Sequence, residues 1–194
     1  VAKFERTNAQ LGKYFSPSIR KEIERLDVDI NKRPNKTQMI GIIFTDIIGF
    51  TKISEKLEPA EVLELLSEYQ KKMTDAIFKN QGTVDKFIGD AIMAGFGIPL
   101  AHGGGEDRGV RAGINMIKRL WDWNSLRESD GKPPVEMGLG LNTDKVVSGN
   151  IGSSKRMDYT MIGDGVNLAA RLESACKSYS ARILISDFTY QRLK

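Results

Sequence analysis

Residues 84–96 read Val84-Asp85-Lys86-Phe87-Ile88-Gly89-Asp90-Ala91-Ile92-Met93-Ala94-Gly95-Phe96, two β-favouring runs separated by a single Gly-Asp pair. Gly-Asp is a two-residue hairpin turn, so this stretch predicts strand, turn, strand, with Asp90 projecting from a rigid tip. Upstream, residues 40–45 (Ile40-Gly41-Ile42-Ile43-Phe44-Thr45) form an almost uniformly apolar run that ends in Asp46. Such a run suits a central strand covered on both faces. Both acids therefore sit where a β segment ends or reverses, at the rim of a sheet, because a buried core would not tolerate either one unpaired. Two carboxylates converging on one rim suit a hard divalent cation with oxygen ligands, magnesium or manganese, which also binds phosphates. Taken singly, Asp46 can be the cap of a following short helix and Asp90 a turn residue.

The remaining elements follow from periodicity. Ser16-Pro17 predicts a helix start, with Ile19, Ile23 and Leu26 at helical spacing, and Asn31-Lys32-Arg33-Pro34-Asn35-Lys36 ends it. Pro59 opens a long helix whose core stripe is Val62, Leu65, Leu66, Tyr69, Met73 and Ile77, stopped by Gly82. Val110, Ile114, Ile117 and Trp121 mark a second amphipathic helix, closed by the loop 130–134. Residues 135–147 and 156–162 read as strands, 166–176 as a helix carrying Cys176 as a packed residue, and 183–185 as a last short strand. This order predicts an α+β fold, an antiparallel or mixed central sheet with helices packed on it. The expected organisation is a connecting helix and linker over residues 1–36 and one catalytic-size domain over 37–194.

Composition removes several function classes. At 194 residues and 40% hydrophobic content the chain can bury one sizeable core. One cysteine excludes an internal disulfide framework. No apolar run is long enough to span a bilayer, and the first residues carry no signal-peptide pattern, so no membrane contact and a cytoplasmic location are expected. Lacking an initiating methionine, the chain reads as a segment of a longer polypeptide, with any sensor or membrane part upstream. Residues 1–37 hold nine Lys and Arg against five acids, whereas the remainder holds twenty of each. A balanced body argues against a nucleic-acid-binding face.

Downstream of Asp46, Gly49 permits close backbone approach, and a helix starting nearby offers free N–H groups, so Gly49 and Phe50 can line a phosphate cradle. An ordinary strand-to-helix turn is the alternative. There is no Walker A pattern. Asn167 and Arg171 lie four residues apart and share a helix face, able to meet one ligand or simply to face solvent. The segment His102-Gly103-Gly104-Gly105-Glu106-Asp107 reads as a flexible loop, since it lacks the Glu-Phe of the GGDEF signature, and no histidine or cysteine stands near His102 in the sequence to build a zinc site.

Three ordered motifs, Phe44-Thr45-Asp46-Ile47-Ile48-Gly49-Phe50-Thr51, then residues 82–90, then Tyr159-Thr160-Met161-Ile162-Gly163-Asp164-Gly165-Val166-Asn167-Leu168-Ala169-Ala170-Arg171, closely resemble the class III nucleotide cyclases, above all bacterial and cyanobacterial adenylyl cyclase catalytic domains. The resemblance runs from about Thr37 to the end of the chain and implies a ferredoxin-like fold. It also implies conversion of ATP to 3′,5′-cyclic AMP and pyrophosphate, with two Mg2+ or Mn2+ ions per active site held by Asp46 and Asp90 with Ile47. Ile47, Ile48, Gly49, Phe50 and Thr51 would bind substrate, Lys86 and Thr160 would select adenine, Asn167 would position the ribose, and Arg171 would stabilise the transition state. Adenine offers a ring-nitrogen acceptor to a Lys donor and an amino group to a Thr oxygen. The resemblance further implies a homodimer with two shared sites and an upstream sensor. Family members continue past the position of Lys194 into strands bearing a lysine for the triphosphate, so the C-terminal end is expected to be truncated.

Overall fold

The computed structural model describes residues 34–153 and 156–194, together with Lys21, Glu24 and Arg25. Apart from those three residues, the helix expected after Ser16-Pro17, together with residues 31–33 of the linker, lies outside the described residues. The order of elements is β1 (Lys36–Ile47), α1 (Phe50–Ser54), α2 (Pro59–Lys79), β2 (Thr83–Ile88), β3 (Ala91–Phe96), α3 (Gly105–Ser129), β4 (Met137–Ser153), β5 (Arg156–Ile162), α4 (Asp164–Ser178), β6 (Ile183–Ile185) and α5 (Asp187–Tyr190). Strands run β2-β3-β1-β4-β5 across one sheet, antiparallel throughout, and β6 adds to β4 in parallel. This is the mixed sheet of the α+β expectation.

Strand alternation decides which side chains meet which helices. On one face Ile43 and Ile47 of β1, Ile92, Ala94 and Phe96 of β3, and Leu139 and Leu141 of β4 pack against α2 and α3. Helix α2 begins as expected, with Pro59 after a reciprocal Glu58/Glu61 capping box, and buries Leu65, Tyr69, Met73 and Ile77. Helix α3 is longer than the sequence suggested, because residues 105–107 form its first turn rather than a flexible loop. Its buried stripe also differs. Ile114 and Trp121 face solvent, and Gly109, Ala112 and Gly113, with Met116, Leu120 and Trp123, are buried instead, Trp123 against α2 through its hydrogen bond to Glu68. Ile117 is buried and Val110 packs on the core as expected, but helix and sheet approach closely at Gly109 and Gly113, so hydrophobicity alone misplaced Ile114 and Trp121.

On the other face Ile40 and Ile42 of β1, Met93, Val146 and Met161 form a second core with Val166 and Ala169 of α4. Ile40 and Ile42 are fully buried, worth about 1.5–3 kcal/mol each relative to exposure. Gly140 lets α4 rest directly on β4: a Cβ there would run into the Ala169 carbonyl oxygen and the Glu173 amide nitrogen, and would stand 2.9 Å from the Glu173 Cα. Asn142 fastens the first turn of α4 by donating from Nδ2 to the Gly165 carbonyl at 3.0 Å. The sheet also curls over this face. Although β2 and β5 are its opposite edges, Asp85 of β2 bonds Thr160 of β5, and Met161 reaches across to Gly95, where a Cβ would meet its Sδ at 2.7 Å. Strand β4 extends to Ser153, past the expected end at Val147, because its second half carries β5.

Candidate active site

Asp46 follows Ile40, Ile42 and Phe44 on the face that receives α4, one residue before β1 ends. Its register partner on β4 is Gly138, and a Cβ on Gly138 would lie 3.3 Å from Glu173 Oε1, so the Glu173 carboxyl occupies that space beside Asp46. The Glu173 and Asp46 side chains are hydrogen-bonded. Asp90 reaches the same point from the hairpin. Gly89 takes φ +62, as the first position of such a turn requires, and Asp90 Oδ2 accepts the Ile47 N–H at 3.0 Å. The tip is thus bent back onto β1 rather than projecting freely.

Electrostatically this corner is overloaded with negative charge. Burial raises the Asp46 pKa, the Asp90 charge raises it further, and the Glu173 hydrogen bond opposes both. Glu173 is pushed up to about 8 by burial, by its hydrogen bond to Asp46 and by repulsion from Asp46 and Asp90. At neutral pH Glu173 therefore keeps its proton and donates it to Asp46. The corner opens into a crevice of about 140 Å3 lined by Asp46, Ile47, Ile48, Gly49, Glu173 and Lys177. Uncompensated carboxylates at a crevice fit a divalent cation. Among the described residues no three acid, histidine or cysteine side chains converge as a ligand shell. Two carboxylates completed by substrate phosphates is the donor set magnesium commonly takes. Beyond it Gly49 adopts φ +71 as the N-cap of α1, and Phe50 and Thr51 form the first residues of that helix. A larger groove, about 280 Å3, lies among α1, α2, Arg127 and Lys132 and is lined by none of the residues expected to act on substrate.

A second cluster forms where the sheet curls. A β-bulge between Val84 and Lys86 leaves Asp85 without a partner on β3. Bulges re-aim side chains. Here Asp85 is buried and its Oδ2 accepts the Thr160 hydroxyl at 2.7 Å and the Met161 N–H at 3.1 Å. The Lys86 ammonium stands 3.5 Å from Oδ1 as an ion pair, and that buried oxygen has no well-formed hydrogen bond. Burial raises the Asp85 pKa, against the lowering effect of Thr160, Lys86 and Met161. Lys86 and Thr160, expected as a pair, are brought together through Asp85.

Asn167 and Arg171 share the exposed face of α4, opposite Val166, Ala169 and Cys176. Lys86 and Asp90 are four positions apart, across the end of β2 and the Gly89 turn, roughly 13 Å of extended chain. The acidic corner, the Lys86–Thr160 pair and the Asn167–Arg171 face therefore occupy different parts of one chain. Sequence reasoning missed Glu173 and Asp85. Both were legible as acids in apolar patterns: Glu173 is four residues after Ala169 and three before Cys176, on the buried side of α4, and Asp85 interrupts a β run.

The profile of the adenylate and guanylate cyclase catalytic domain matches residues 33–194. An adenylate cyclase of Anabaena cylindrica is 38% identical over 161 residues, 81% of this chain and 31% of its own length. The chain spans about a third or less of the length of the curated relatives it matches. The guanylyl cyclase Cya2 is similar in structure with TM-score 0.75 and 40% identity, over 82% of this chain and 80% of its own. The adenylyl cyclase CyaB from P. aeruginosa gives TM-score 0.75 and 38% identity, over 82% of each chain. With a matched profile over most of its length and two cyclase structures similar to it in fold and sequence, the chain belongs to the class III adenylate and guanylate cyclase catalytic domains.

Proposed function

We propose that this domain is an adenylyl cyclase, converting ATP to 3′,5′-cyclic AMP and pyrophosphate with magnesium or manganese at a site shared by two copies of the chain. The observation that carries the reading is the hydrogen bond from Ile47 to Asp90, which ties Asp90 to the backbone next to Asp46, at the edge of the crevice that Asp46, Ile47 and Gly49 line. The bound ions, two per site, would lower the pKa of the ribose 3′-hydroxyl and screen the polyphosphate. Asp46 and Asp90, with Ile47, would hold them, and residues Ile47, Ile48, Gly49, Phe50 and Thr51 would line the triphosphate. The 3′-oxygen bonds to the α-phosphorus as the bond to the pyrophosphate oxygen breaks. Lys86 donates to the adenine ring nitrogen, Thr160 accepts from its amino group, Asn167 orients the ribose, and Arg171 stabilises charge on the transferring phosphoryl group.

Sharing between copies explains why these groups stand apart within one chain. Exposed apolar residues lie on the same elements as the substrate residues: Phe87 and Ile88 beside Lys86, Ile162 near Thr160, Leu168 beside Asn167. A second copy covering them would bring one chain's Lys86, Thr160, Asn167 and Arg171 to the other's Asp46 and Asp90. We further propose that residues 1–36 connect a cytoplasmic catalytic domain, 37–194, to an upstream sensor. No helix among the described residues is long and apolar enough to cross a membrane. The 40% identity to a guanylyl cyclase supports GTP as a second reading. Chromatography of products from ATP and GTP, with Mg2+ or Mn2+, over a range of protein concentrations tests both. Cyclic AMP rising faster than linearly with protein is expected, and Asp46→Asn should lower it by about a hundredfold or more. Cyclic GMP as the main product would refute the base assignment.

A further inference from the structure

A threonine hydroxyl alone cannot tell adenine from guanine, because it carries one proton and two lone pairs and rotates to suit either partner. In this chain the rotation is stopped. The Thr160 proton is committed to Asp85 Oδ2 at 2.7 Å, and the same oxygen takes the Met161 N–H at 3.1 Å, so the carboxylate is itself held by β5 backbone. Its side chain is 1% exposed, placed there by the bulge in β2. What Thr160 Oγ1 has left to offer is lone pairs only.

We propose that Asp85 is a specificity-positioning residue: it fixes the Thr160 hydroxyl as an acceptor and tethers Lys86 beside it, so that the pair reads a base with a 6-amino donor and a ring-nitrogen acceptor. Guanine presents the reverse at both points, an oxygen acceptor and an N–H donor, and meets acceptor with acceptor and donor with donor. Unmatched polar groups of this kind are what give a hydrogen-bonding site its discrimination. This assignment rests on the adenylyl cyclase reading above, and deepens it by naming the residue that makes Thr160 selective.

The test is the ratio of kcat/KM for ATP to that for GTP in the wild type, Asp85→Ala, Asp85→Asn, Thr160→Val and the double variant Asp85→Ala/Thr160→Val. Freed from Asp85, the hydroxyl can donate as well as accept, so Asp85→Ala should lower the ratio by about tenfold or more, as should Thr160→Val. The double variant should fall no further, because both act through one hydroxyl. Asp85→Asn keeps an oxygen for Thr160 and Met161 to donate to, and should hold the ratio within about threefold while raising KM through the lost charge beside Lys86. An unchanged ratio in Asp85→Ala, or multiplied losses in the double variant, overturns the proposal. If Asp85→Ala does not fold, Asp85→Asn decides: a ratio as low as that of Thr160→Val overturns it. A wild type that prefers GTP refutes the ATP reading itself, whereas an ATP-selective wild type with an indifferent Asp85→Ala refutes this inference alone.

Discussion

Replacing Gly140 with alanine should unseat α4. A Cβ at this position meets the Ala169 carbonyl oxygen, the Glu173 amide nitrogen and the Glu173 Cα, all backbone, so no side-chain rotation can relieve it. Overpacking costs about 1–3 kcal/mol when side chains can adjust, and a backbone collision belongs at the upper end, about 3 kcal/mol. A domain of this size loses about 2–4 °C in Tm per kcal/mol, which gives a fall of about 6–12 °C. Circular-dichroism melts of Gly140→Ala and Gly103→Ala provide the comparison, because a Cβ on Gly103 meets nothing within 4 Å and should change stability by less than about 0.5 kcal/mol. Cyclase activity measured well below the melt should fall as well, since α4 carries Glu173, Asn167 and Arg171 on one rigid rod. A Gly140→Ala protein melting within about 2 °C of wild type would refute direct seating of helix on strand.

Glu173 holds its proton up to about pH 8 in the fold against 4.5 ordinarily, so between those values the folded chain binds a proton that the unfolded chain has released. Metal-free stability should therefore fall as pH rises through that window, and Glu173→Gln should flatten the trend; parallel Tm-versus-pH curves in EDTA would contradict this. Asp90→Asn keeps an acceptor for the Ile47 N–H but loses the charge, so the rise in Tm that Mn2+ gives the wild type should vanish with little change in the metal-free Tm. A retained Mn2+ shift would remove Asp90 from the metal site. Tyr69→Phe breaks the buried Thr45–Tyr69 hydrogen bond of 3.1 Å and should cost about 1 kcal/mol; a Tm equal to or above wild type would show that the bond contributes nothing.

What could be read in advance was local. The Gly89-Asp90 turn, the Pro59 start and the stripe through Leu65, Tyr69, Met73 and Ile77 each lie within one or two elements, and each stands where periodicity put it. Ile114 and Trp121 failed because the spacing of helix from sheet, set by Gly109 and Gly113, is a property of two elements together. Asp46 and Asp90 were recognisable as a pair from their strand-end positions, whereas Glu173 joins them only because Gly138 and Gly140 bring α4 down onto β4. Asp85 shows the same limit: nothing near it in sequence says that the opposite edge of the sheet will curl round to meet it.

The bond between Asp85 and Thr160 joins residues 75 positions apart. Contacts of such separation must pay their loop-closure entropy before they return any stability, so they tend to close late. On a ribosome adding about 5–20 residues per second, Asp46 and Asp90 are already made about 4–14 s before Thr160 exists. The nascent chain can thus pair β1 with the β2–β3 hairpin, bringing Asp90 to Ile47, before the strand that carries Thr160 and the helix that carries Glu173 exist. In the proposed reading, nucleotide choice therefore arrives only after the two aspartates are in place, and incomplete closure of the sheet would erase it.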